Sequence, residues 1–161
     1  MIKILGSIDT QPLLDCYSNL ESGIQWTEYG HKGRQAGLQN RPSENPWTSI
    51  VGKSSGDEMS AGIINPYFKD TVFEEIINQY NLKKTRLMWI YPYACYSIHR
   101  DETQRIHIPL ITNEECYFLF KYGSPKHLKL GTVYQVDTKL EHTFINCSDQ
   151  PRLHLVGAIN V

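Results

Sequence analysis

From Lys84 to the C-terminus the chain is cut into short runs of β-branched and aromatic residues, and this interruption limits the possible folds more than any other feature. The runs are 85–93, 94–99, 105–111, 115–122, 126–129, 132–136, 141–146 and 152–159. Turn-forming clusters separate them: Asp101-Glu102, Thr112-Asn113-Glu114, Gly123-Ser124-Pro125 and Ser148-Asp149-Gln150-Pro151. Roughly eight short strands must hide their edges and bury one face each, which a double-stranded β-helix, or jelly roll, does by folding two sheets face to face. The predicted class is therefore mainly β, with no internal repeat or low-complexity tract competing.

Two helices are expected ahead of the strands. In residues 8–21, Leu13, Leu14, Tyr17 and Leu20 recur at helical spacing, Asp9 or Thr10 can cap the start, and Pro12 is tolerated in the first turn. Over 70–80, Val72, Phe73, Ile76, Ile77 and Tyr80 form one apolar stripe that should pack on a sheet. Asp70 is the expected cap there, with Glu74 and Glu75 near the positive end. Between them, from Gly30 to Gly56, periodicity dissolves. Arg34, Gln35, Gln39, Asn40, Arg41 and Trp47 fall in a long loop expected either to cover a site mouth or to be a surface insertion. The expected organisation is one domain over 1–161, with a helical and loop part at 1–84 and a β-helix core at 85–161.

With 161 residues, 40% of them hydrophobic, the chain can build one sizeable core. Sixteen basic and seventeen acidic side chains leave a net charge of −1, so no global field favours nucleic acid or an anionic membrane, and any anion must be held by local groups. No segment reads as a signal peptide or a membrane span, and a cytoplasmic protein is expected. Cys16, Cys95, Cys116 and Cys147 lack a C-x-x-C pair, which argues against structural zinc or a disulfide framework and for small buried thiols.

The candidate chemistry lies in the strand region. His99 and Asp101 are two apart, so on one extended strand their side chains leave the same face while Arg100 points the other way. His142 arrives from a later strand. Two imidazoles and one carboxylate on one side of an Fe(II) ion leave three octahedral positions open, two for a chelating cosubstrate and one for dioxygen. An H-x-D pair alone occurs by chance in many proteins; its conjunction with a distal His and a following Arg carries the reading. Arg152, opening the last apolar run, can grip a carboxylate of an anionic cosubstrate in a bidentate fork. Arg105 and His107 share one strand face. His107 can ligate metal, bond the cosubstrate or orient another ligand, and the cosubstrate contact is preferred. His31, His127 and His154 are expected to be structural or exposed.

The segment 99–158 resembles the Fe(II)/2-oxoglutarate dioxygenases, and within them the aspartyl/asparaginyl β-hydroxylase family and the related bacterial proline hydroxylases. The resemblance rests on Val136 to Leu153, with its acidic turn, Glu141-His142 pair, polar hairpin and Arg152 ten residues past the His, and on Arg105-Ile106-His107 as an R-x-H strand. It implies that His99 and His142 bind iron, that Arg152 binds the 5-carboxylate of 2-oxoglutarate, and that Arg105 and His107 support the cosubstrate pocket. Asp101 aligns with the proline hydroxylases, which keep H-x-D, whereas the animal β-hydroxylases lack that carboxylate. The implied reaction is hydroxylation of an unactivated C–H in an amino acid or peptidyl residue, consuming dioxygen and 2-oxoglutarate and releasing succinate and carbon dioxide. Halogenation is not expected, because Asp101 fills the position that halogenating relatives leave for halide. Two other classes stay open: a cupin-like metalloprotein without 2-oxoglutarate turnover, and a non-catalytic β-sandwich interaction module.

Overall fold

A computed structural model describes residues 1–52 and 56–161. In chain order the elements are β1 (Ile2–Ser7), α1 (Gln11–Leu20), β2 (Thr27–Glu28), β3 (Gly33–Gly37), β4 (Gln39–Asn40), β5 (Ile63–Ile64), α2 (Val72–Gln79), β6 (Lys83–Ile90), β7 (Gln104–Ile111), β8 (Cys116–Phe120), β9 (Lys126–His127), β10 (Thr132–Val136), β11 (His142–Asn146) and β12 (Arg152–Ile159). One seven-stranded antiparallel sheet runs in the order β1-β10-β7-β12-β6-β3-β2, and a smaller one runs β11-β8-β9. The two face each other as a double-stranded β-helix.

Side-chain alternation divides the labour of the large sheet. Ala36, Leu87, Trp89, Ile106, Ile108, Leu153 and Leu155 point to one face, where they form a single apolar cluster with Leu13 and Tyr17 of α1 and Phe73, Ile76 and Ile77 of α2. Both helices thus pack on the sheet through the stripes their sequences display. The opposite face carries Ile90, Tyr134 and Val136, which meet Phe118 and Phe144 of the small sheet in a second apolar cluster. Arg86, Met88, Arg105, His107 and Val156 lie on that same inner face and line a cavity between the sheets.

Several expectations are corrected. Residues 33–40 are not loop: β3 pairs with β6 from Gly33↔Ile90 to Gly37↔Arg86, and Gln35, Ala36, Leu38, Gln39 and Asn40 are buried. Residues 53–55 of the expected loop lie outside the described residues. The first residues form an edge strand, β1, on β10. Residues 94–99 form no strand; Cys95 and His99 make isolated bridges to Ile145 and His142 instead. Asp70 does not cap α2. It adopts φ 58° and its backbone N–H donates to Glu74 Oε2 at 2.6 Å, so the acid in the first turn reaches back to the chain before it. At α1, Asp9 Oδ1 accepts from Gln11 N at 3.0 Å, while Thr10 makes no side-chain cap bond. Of the four free thiols only Cys116 is buried; Cys95 and Cys147 are exposed. Among the described residues no helix is long and apolar enough to cross a membrane.

Candidate metal centre and its cavity

His99 comes to His142 by backbone pairing. The His99 N–H donates to the His142 carbonyl at 3.0 Å and the His142 N–H returns the bond at 2.9 Å, which brings the ring centroids to 4.4 Å. Asp101 is fixed next, its N–H donating to the Thr138 carbonyl at 2.9 Å. The potential ligand atoms of His99, Asp101 and His142 all lie within 4.8 Å of one another, with His142 buried, Asp101 half-buried and His99 exposed. The convergence expected from the sequence is therefore present, but a bridge from the irregular segment at His99 to the start of β11 produces it rather than a continuous strand carrying His99 and Asp101.

The donor set suits a metal ion. Nδ1 of His99 lies 2.8 Å from the Ser97 carbonyl, and Nδ1 of His142 lies 2.8 Å from the Leu140 carbonyl. A carbonyl cannot donate, so each Nδ1 carries a proton, and in the neutral ring Nε2 is then the nitrogen that holds the lone pair. Burial, partly offset by the Leu140 bond, pushes the His142 pKa down and favours this neutral ligand form. The His142 ring stacks on Phe118 at 5.2 Å with 9° between planes, which restrains it further. Asp101 Oδ2 lies 3.8 Å from His142 Nε2, and its Oδ1 lies 3.2 Å from Arg105 NH2.

The cavity beside this cluster has a volume of about 420 Å³. His107 lines it, is 2% exposed, and among the described residues has no hydrogen-bond partner on either ring nitrogen. Burial, then the nearby Arg152 charge, holds it neutral, so it offers one donor and one acceptor to whatever enters. Arg152 is 3% exposed with no carboxylate within ion-pair distance among the described residues. Its NH1 sits 2.9 Å from the ring nitrogens of His154, and its guanidinium lies 4.6 Å over Phe144. Burial pushes its pKa down to about 10, so it remains a cation at neutral pH. Arg152 itself does not line the cavity; Phe144, against which it packs, does. The strand that carries Arg152, β12, is a central strand of the large sheet.

Arg105 lines the cavity but is already engaged. Its NH1 and NH2 bind Glu58 at 2.8 and 2.7 Å, and Lys84 Nζ reaches the same carboxylate at 2.7 Å. Burial would raise the Glu58 pKa, but the hydrogen bonds and charge of Arg105 outweigh it and hold the group at about 2. The sequence reading missed Glu58, Lys84, Arg86 and His154. Only His154 left a signal, since Arg152-Leu153-His154 repeats the R-x-H spacing of Arg105-Ile106-His107. Arg86 lines the cavity, bonds Met88 Sδ through Nε at 3.2 Å, and has no carboxylate within ion-pair distance among the described residues.

The sequence model of the aspartyl/asparaginyl β-hydroxylase family matches residues 17–160. The chain belongs to this family. No curated protein matches its sequence. Among solved structures, HygX from Streptomyces hygroscopicus with nickel and 2-oxoglutarate bound is similar at 11% identity, over 97% of this chain and 80% of that one, with a TM-score of 0.56. A 2OG-Fe(II) oxygenase family oxidoreductase from Burkholderia pseudomallei is similar at 14% identity, over 89% and 75%, with a TM-score of 0.54. The DMSP lyase DddQ from Ruegeria pomeroyi is similar at 13% identity, over 98% and 68%, with a TM-score of 0.55. At such identities these likenesses establish the shared fold, and the family match places the chain among hydroxylases.

Proposed function

We propose that the chain is a single catalytic domain, an Fe(II)- and 2-oxoglutarate-dependent oxygenase that hydroxylates an unactivated C–H of an amino acid or peptidyl residue. The observation that carries this reading is the convergence of His99, Asp101 and His142 with both Nε2 lone pairs freed by their Nδ1 bonds. In support stand two buried groups, the His107 ring, with neither nitrogen hydrogen-bonded among the described residues, and the Arg152 cation, with no carboxylate within ion-pair distance among them. Iron at this site would supply a meeting place for 2-oxoglutarate and dioxygen: dioxygen is the oxidant, 2-oxoglutarate gives two electrons as it loses carbon dioxide, and one oxygen atom ends in succinate while the other ends in the new hydroxyl. The protein's part is positional. His99, Asp101 and His142 form the ligand face; the Ser97 and Leu140 carbonyls and the Phe118 ring fix its imidazoles. His107 would hydrogen-bond the cosubstrate, and Arg152, packed over the Phe144 ring, would receive its 5-carboxylate. Arg86 is a second guanidinium able to receive it, and comparison of Arg152→Met with Arg86→Met separates the two.

A lyase, an oxidoreductase of the 2OG-Fe(II) oxygenase family and a protein with nickel and 2-oxoglutarate bound share this fold, so architecture alone does not select a reaction. A metalloprotein without 2-oxoglutarate turnover has no use for the buried cation at Arg152. An interaction module has no use for three converging ligands. The deciding experiment is anaerobic titration of Fe(II)-loaded protein with 2-oxoglutarate, followed by the visible absorption of the chelate and repeated with Asp101→Ala. Absorption in the wild type alone, followed by succinate release in air, is the expected result. No absorption in the wild type sinks the assignment.

A further inference from the structure

Next to the ligand face lies an ion cluster that the proposed chemistry does not use. A one-turn 3-10 helix, Glu58–Ser60, is capped by Asp57 Oδ1 accepting from Met59 N at 2.9 Å, and it delivers the Glu58 carboxylate to the cavity wall. There Glu58 Oε1 takes Arg105 NH2 and Lys84 Nζ, each at 2.7 Å. Its Oε2 takes Arg105 NH1 at 2.8 Å and the Thr103 hydroxyl at 2.6 Å. Arg105 NH2 is thus shared between Glu58 and Asp101 Oδ1, the latter 3.2 Å away, while Asp101 Oδ2 faces His142. Glu58 is 5% exposed and Arg105 is 2% exposed, so the sharing occurs where charge is poorly screened.

Resting on the metal reading above, we infer that Glu58 is a positioning residue for Asp101: it occupies the fork of Arg105, so that Arg105 steadies one oxygen of Asp101 and leaves the other free for an ion. The geometry explains why a second carboxylate is needed. A guanidinium presents a planar fork that pairs most strongly when both arms meet one carboxylate. With Glu58 in place both arms are spent on it, and Asp101 receives only a longer side contact through Oδ1. Without Glu58, Arg105 turns its whole fork to Asp101 and competes with the metal for both oxygens. The backbone of Asp101 is pinned independently at Thr138, so the side-chain angle is the variable that Glu58 sets.

The test is Co(II) binding by the apo protein, reading both the dissociation constant and the visible ligand-field spectrum. Glu58→Gln is expected to weaken Co(II) by about 10- to 100-fold, the usual effect of removing a group that orients a ligand, and to alter the spectrum. Because Glu58→Gln leaves Lys84 uncompensated and can unfold the chain, Glu58→Gln/Lys84→Met removes both charges and is measured alongside. Lys84→Met alone, which keeps the fork, is expected to bind Co(II) as the wild type does. Equal weakening in both Glu58 variants, with near-UV circular dichroism unchanged, supports the inference. Wild-type affinity and spectrum in the folded double variant overturn it and leave Glu58 a structural ion-pair partner. Absence of Co(II) uptake by the wild type overturns the metal reading itself, and this inference with it.

Discussion

At the scale of single residues, Arg152 sets function against stability. A buried cation without a carboxylate partner recovers its desolvation cost only in part, here through His154 and the Phe144 ring, so an apolar residue of similar volume removes a cost along with those contacts. Arg152→Met is therefore expected to raise the urea midpoint while weakening 2-oxoglutarate by about 2–3 kcal/mol, the worth of a charge-assisted pair. A variant that loses stability and keeps cosubstrate affinity would show that His154 and Phe144 alone justify the cation. The convergence of His99, Asp101 and His142 was legible in the sequence because side-chain chemistry at fixed spacing points to it, and the roles proposed for them and for Arg152 rest on the same spacing. Glu58, Lys84 and Arg86 were not, because an acidic or basic side chain acquires such a role only when a distant strand is placed beside it. His154 looked isolated for the same reason: its neighbours are Arg152 on its own strand and His107 across the sheet, at 6.0 Å between ring centroids.

At the scale of elements, the junction of β6 and β12 supports both the cavity wall and the ion cluster. Lys83 pairs with Ala158 and Arg86 with Val156, so Lys84 and Thr85 together oppose the single residue Gly157. This β-bulge holds Lys84 at φ 50°, a left-handed conformation uncommon for a side-chain-bearing residue, and its burial beside Glu58 accompanies that strain. A Cβ on Gly157 would lie 2.9 Å from Thr85 Oγ1 and 3.0 Å from Leu82 Cβ. Gly157→Ala is expected to destabilise by about 1–3 kcal/mol in urea unfolding, the usual result of overpacking; an unchanged midpoint would mean that the bulge has slack. The carboxylate that ties residues 58–60 to β6 and β7 also dictates an acid response. Glu58 has a folded pKa of about 2 against an ordinary 4.5, so its contribution is present above about pH 4.5 and is lost as pH falls towards 2. The shift corresponds to about 3 kcal/mol at most. Burial and the neighbouring Arg86 charge depress the Lys84 pKa, so that ammonium offsets part of the gain. In Glu58→Gln the loss of stability between pH 4.5 and 2 should be smaller than in the wild type. The strands most visible in the sequence, β7, β10, β11 and β12, are built from β-branched and aromatic residues. β3 was hidden because Gly33-Arg34-Gln35-Ala36-Gly37 has little intrinsic strand preference and is held by β6, where a Cβ on Gly33 would meet the Trp89 carbonyl at 2.0 Å.

At the scale of the whole molecule, the large sheet is a partition: one face is sealed by α1 and α2, and the other sets Arg86, Arg105 and His107 among apolar residues around the cavity. The proposed ligand face belongs to neither layer alone. His142 begins β11 in the small sheet, His99 and Asp101 lie in the connection between β6 and β7, and the carboxylate that holds Arg105 follows β4. An ion at His99, Asp101 and His142 therefore links segments that otherwise separate when the sheets part. Binding to the folded state alone stabilises it by about 2.7 kcal/mol when free ligand stands at a hundred times its dissociation constant. Because the cosubstrate is proposed to bind partly through the metal, the two stabilisations should not be independent. In anaerobic thermal unfolding, Mn(II) alone is expected to raise the midpoint, 2-oxoglutarate alone to raise it little, and the pair to raise it by more than the two separate shifts combined. Asp101→Ala should abolish the metal shift and the excess together, leaving the small response to 2-oxoglutarate that Arg152 supports. If 2-oxoglutarate stabilises the wild type equally with and without Mn(II), the cosubstrate is held by the guanidiniums alone, and the link between the two sites is absent.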